Sequence, residues 1–131
     1  MTTARPATIT VAAVITAAIA LLGAGVAVWD LAATAGTLTV AEIGTDLYYI
    51  VVAVILVPAA LGLLSGRGWA RSVVATAHIL LVLSMVALAG YLGWLVGIPL
   101  VLSLTTLACL ASPSARRWVA DNSGRVFGEP D

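Results

Sequence analysis

The chain has 131 residues, 62% of them hydrophobic and only 9% charged, with zero formal net charge and a mean hydropathy of +1.13. Soluble domains carry about 25% charged residues, so this composition belongs to a membrane protein with too little polar chain for a soluble domain beside it. The charge balance argues against a nucleic-acid partner, and the single cysteine, Cys109, excludes an intramolecular disulfide.

Apolar segments of about 20 residues match a hydrocarbon core of about 30 Å at 1.5 Å rise per residue. The first covers 7–29, between Arg5 and Asp30. Cleavage of this segment as a signal peptide at Ala33-Thr34-Ala35 would leave three spans. Its apolar run exceeds the usual 7–15 residues of such signals, so an uncleaved anchor is expected. Ala12, Thr16, Ala20 and Ala24 place a small residue at every fourth position, which lets another helix approach closely.

Residues 31–45 form the one sizeable connection, and Thr39-Val-Ala-Glu42 has capping-box spacing, which predicts a helix start near Val40. Asp30, Glu42 and Asp46 gather carboxylates at that end. Acids favour a helix N-terminus for its dipole, and three together can also hold or steer cations. The second span covers 46–65 and contains Pro58, which frees a carbonyl one turn earlier. Gly62 and Gly66 close it with the spacing of a close helix crossing. Arg67 and Arg71 follow.

No Asp, Glu, Lys or Arg occurs between Ser72 and Ala115, a stretch long enough for two spans, expected at 70–90 and 94–111. The turn is expected within Gly90–Trp94, where glycines loosen the backbone. Gly93 and Gly97 repeat the close-crossing spacing, and Pro99 falls in the early turns of the fourth helix. His78 is the one ionisable side chain expected well inside the bilayer, with Cys109 shallower. Intramembrane ionisable groups mark ion pathways, or else they bond a neighbouring hydroxyl or carbonyl. Met85, seven residues on, and Cys109 extend this to a conceivable soft-metal set, although both are ordinary core residues. Ser112-Pro113 reads as an N-cap followed by proline at the first helical position. A short interfacial helix over 113–120 then carries Arg116, Arg117 and Trp118, and a polar tail over 121–131 is expected to be disordered.

The fold class is therefore all-α: a four-helix transmembrane bundle over residues 1–120 with that interfacial helix after it. All six basic residues (Arg5, Arg67, Arg71, Arg116, Arg117, Arg125) fall on one side of this layout, and the opposite connections carry acids or no charge. The arginine bias predicts that the N- and C-termini are both cytoplasmic. Aromatics fit the two interfaces, with Trp29, Tyr48, Tyr49, Tyr91 and Trp94 on the outer side and Trp69 and Trp118 on the inner.

The sequence holds no nucleophile–base spacing, no HExxH and no glycine-rich phosphate loop, so an enzyme and a bound cofactor are not expected. Small multidrug exporters of four helices carry a glutamate in the first span, and here that span is uncharged. Gly66-Arg-Gly-Trp-Ala-Arg71 and Ser112-Pro-Ser-Ala-Arg-Arg-Trp118 together resemble the small four-span integral membrane proteins of actinobacteria. That resemblance implies a plasma-membrane location and no activity. The expected function is non-enzymatic: a small accessory, scaffold or assembly subunit that packs its helices against a larger membrane complex or against itself. Arg67, Arg71, Arg116 and Arg117 would meet lipid headgroups or an acidic partner segment. The alternative is a small oligomeric transporter or channel component that uses His78.

Overall fold

A computed structural model describes residues 4–34 and 36–126. The described chain is helical: α1 (Ala7–Ala33), α2 (Val40–Leu64), α3 (Gly68–Leu92), a 3-10 turn over Gly93–Val96, α4 (Gly97–Ala111) and α5 (Pro113–Val126). Four segments are long and apolar enough to cross a membrane, Ala7–Ala33, Val40–Leu64, Gly68–Ala87 and Gly93–Ala111, in agreement with the expected layout. The four long helices form a ring in which α1 neighbours α2 and α4, and α3 neighbours the same two. α1 and α3 therefore face each other across the diagonal.

Local chemistry explains the boundaries. α2 begins at a complete capping box: the Thr39 hydroxyl accepts from the Glu42 N–H, and Glu42 Oε2 accepts from the Thr39 N–H at 2.7 Å. It ends in a Schellman motif, with the Arg67 N–H donating to Gly62 O at 3.0 Å and the Gly66 N–H to Leu63 O at 3.1 Å. Gly66 sits at φ +76°, the left-handed conformation that this motif requires. At the far end Gly93, at φ +57°, stops α3 within the expected turn, and the 3-10 turn leads straight into α4.

The core is built of small residues. Ile9, Ala12, Ala13, Ala59, Ala60, Leu63, Ala70 and Val74 interlock near the basic end, and Ala20, Ala53 and Leu56 form a second cluster further along. Lipid chains are as apolar as leucine, so helices in a membrane associate through close packing, which small side chains permit. The stripe of Ala12, Thr16, Ala20 and Ala24 lies on this inner face of α1. Large side chains such as Leu22, Val26, Val54, Leu83 and Val101 point outward, as lipid-facing positions should.

Several expectations need correction. α5 does not end at Ala120 before a disordered tail but continues to Val126; residues 127–131 lie outside the described residues. Its polar residues are used in docking, since the Ser123 hydroxyl donates to Gly66 O at 3.3 Å and Asn122 packs on Gly66. Trp118 is not an interfacial anchor. It is only 8% exposed and closes the basic end of the core with Ala115 and Val119. Gly62 makes the expected close approach, to Ala70 and Trp69 of α3, whereas Gly66 belongs to the turn rather than to a helix crossing. Gly93 and Gly97 pack against nothing: a Cβ at either would meet open space.

These glycines make opposite predictions. Gly66→Ala would place a Cβ 2.6 Å from that of Asn122, at a backbone angle that costs an alanine about 1–2 kcal/mol. It should lower the unfolding midpoint in detergent and loosen α5, read as faster proteolysis near residue 118. Gly97→Ala should leave the midpoint unchanged or raised. Equal effects of the two changes would contradict this account of the basic end.

Candidate functional site

His78 is brought to the centre of the bundle. It is 2% exposed, and its Nε2 lies 3.0 Å from Thr16 Oγ1 on the diagonally opposite helix. Thr16 in turn donates its proton to Ala12 O at 2.8 Å, one turn back along α1. A hydroxyl has one proton, so with that proton committed Thr16 accepts from the His78 Nε2–H. Nδ1 is then the bare nitrogen, and it is buried without a partner. The imidazole is thus bonded to a hydroxyl of the diagonally opposite helix.

A second polar side chain lies at the same level. Arg71 Nη2 donates to Leu110 O at 3.1 Å, which fixes the antiparallel register of α3 and α4. Moving from Arg71 to His78 on one helix, and from Leu110 to Ser103 on the other, advances each by about 10 Å at 1.5 Å per residue. Ser103 is fully buried, and its hydroxyl also has no partner. Thr106, one turn nearer the basic end, is fully buried and donates to Leu102 O at 3.0 Å. The interior thus carries a polar layer contributed by α1, α3 and α4. Met85 and Cys109 do not join it, because each is displaced from His78 by about 10 Å along the axis in opposite directions. Among the described residues no group of three His, Cys, Asp or Glu is placed to hold a metal ion.

Beside this layer the ring opens. α2 and α3 touch closely at Gly62 and Ala70, then part around a cavity of about 730 Å³. Tyr49, Val52 and Leu56 form one wall, and the other is α3, with Ile19 and Gly23 of α1 and Leu102 of α4 behind them. His78 is also among the lining residues. The α3 wall presents Ser72, Thr76, Leu80 and Ser84 at four-residue intervals, all exposed. In the sequence only the four-residue spacing marks this stripe, since neither a charge nor a glycine accompanies its hydroxyls.

The remaining candidates separate to the two ends. Asp30, Glu42 and Asp46 do come together, lining one small pocket between α1 and α2. Glu42 is exposed and serves the α2 cap, whereas Asp46 is 7% exposed. At the other end Arg67, Arg116 and Arg117 are exposed and free to meet headgroups or a partner. Arg71 is not: it is half-buried and holds the last turn of α4 through Leu110 O. No protein family, curated protein or solved structure matches this chain.

The Thr16–His78 bond generates a double-mutant prediction. Thr16→Val leaves a buried imidazole N–H without an acceptor, which should cost about 1–3 kcal/mol. His78→Phe in the same background should recover most of that loss. Unfolding in detergent measures the coupling, expected at about 0.6–2 kcal/mol for a hydrogen bond within a membrane bundle. Strict additivity of the two changes would remove the bond from the account.

Proposed function

We propose that this protein is a non-enzymatic accessory or assembly subunit of the bacterial plasma membrane, and that it works by receiving a transmembrane helix of a larger membrane protein between α2 and α3. The observation that carries this reading is the groove itself, in a ring whose α1–α2 pair is closed by small-residue packing. Its lining is largely apolar, with Tyr48 and Tyr49 on α2 and, on α3, Ser72, Thr76 and Ser84, the kind of small hydroxyl residues that let helices approach across an interface. The plasma-membrane assignment follows from the resemblance carried by 66–71 and 112–118. The cytoplasmic placement of Arg67, Arg116 and Arg117 follows from the arginine bias.

The transporter or channel reading finds less support. His78 spends Nε2 on Thr16, and among the described residues the acids Asp30, Glu42, Asp46 and Asp121 stand outside the interior layer, toward the ends of the helices. A proton relay needs a second titratable group within reach.

A photo-crosslinking amino acid in place of Ser84, inside the groove, should give one protein adduct of defined mass in native membranes. The same group in place of Val101, exposed on α4, should give lipid adducts alone. Ser84→Trp, which fills the groove, should abolish adducts from a crosslinker at the neighbouring Leu80. A protein adduct from Val101 and none from Ser84 would move the interface elsewhere. An adduct with a second copy of this chain would replace the larger partner by self-association.

A further inference from the structure

The acidic end of the membrane domain contains a carboxylate that finds no partner among the described residues. Asp46 is 7% exposed, its Oδ2 is buried without a hydrogen-bond partner, and it lines a pocket of about 220 Å³ with Asp30, Ala41, Glu42 and Thr45. A buried charge is costly unless it is paired. No Lys, Arg or His occurs between Arg5 and Arg67, and every arginine belongs to the opposite end of the bundle. The chain therefore has no cation of its own for this place.

We propose that this pocket binds a positively charged nitrogen head group, an alkylammonium or a guanidinium, held between Asp46 and Asp30. The donor set favours such a group over a metal ion. Calcium takes six to eight oxygens in a close shell, and among the described residues no three acidic, cysteine or histidine side chains converge in that way. Glu42 Oε2 is already occupied by the N–H and hydroxyl of Thr39, at 2.7 and 2.8 Å, so that carboxylate serves the helix cap. Ammonium and guanidinium groups instead direct several N–H donors at separate carboxylates, and a guanidinium matches one carboxylate with two parallel bonds. Size agrees. Sites that enclose a whole small molecule run to about 300–1,000 Å³, so this pocket takes one head group and leaves the rest of its bearer outside. That bearer is either a small amphipathic amine or the basic side chain of another protein. The site is separate from the α2–α3 groove and stands or falls independently of it.

The test uses the full-length protein in a zwitterionic bilayer disc, with thermal unfolding followed at constant ionic strength. Saturating methylguanidinium or ethylammonium should raise the midpoint by about 5 °C. Tetramethylammonium, which has no N–H, and calcium should not. Asp46→Asn should abolish the rise while leaving the ligand-free protein at least as stable, because it removes an unpaired charge. Asp30→Asn should weaken the response about tenfold in ligand concentration, and it keeps the test valid if the first variant fails to fold. An equal rise with tetramethylammonium, a rise with calcium alone, or an undiminished rise in both variants would overturn the proposal. Native mass determination of wild type and Asp30→Asn from their own membrane then identifies the source. A small mass lost from the variant identifies an amine, and a protein lost from it identifies a side chain. Identical masses would overturn occupancy of the site in the cell.

Discussion

Close packing of α1 through its small-residue face is the contact on which the rest of the bundle depends. A hydrocarbon interior offers helices no hydrophobic gain from meeting each other, so they must gain by fitting closely. Ala12, Ala13 and Thr16 are almost wholly buried, and this face brings α1 against both α2 and α4. α3 has no comparable contact with α1 and is placed by its neighbours: by Gly62 of α2 against Ala70, and by Leu110 of α4 through Arg71. These two attachments lie at the basic end, and the Thr16–His78 bond adds a third about two turns further along α3. The ring is thus tight where α5 closes it and looser toward the acidic end, which is where the groove lies.

That geometry gives the buried histidine its character. The Thr16–His78 bond is a link between α1 and α3 across the diagonal, in a region where a lone polar group has no water to turn to. The same layer leaves one nitrogen of His78 and the hydroxyl of Ser103 without partners. Around this layer the bundle offers two further surfaces: an open seam with hydroxyls along α3, and an acidic pocket in which Asp46 Oδ2 has no partner among the described residues.

Much of this was legible in the sequence because membrane physics acts on it locally. Span length, the Thr39–Glu42 cap and the Ser112–Pro113 start each depend on a few neighbouring residues, and each appears where expected. The stripe on α1 was legible for the same reason. What escaped depends on residues far apart in the chain. Trp118 beside two arginines reads as an interfacial anchor, and only the juxtaposition of Gly66 with α5 shows that it closes the core. Gly62 and Gly66 look like one motif but perform separate tasks, one in a helix crossing and one in a turn. The burial of Asp46 and Ser103, and the exposure of Ser72, Thr76 and Ser84, follow from how the helices are rotated in the ring, which periodicity this weak does not specify.

The central claim is that the groove between α2 and α3 is an interface with another membrane protein. The most direct measurement is the mass of the intact complex after extraction of the tagged protein from its own membrane in mild detergent. The account predicts a stoichiometric assembly with a larger membrane protein, lost when Ser84→Trp fills the groove. A monomer without partner, or an assembly indifferent to that substitution, would contradict it.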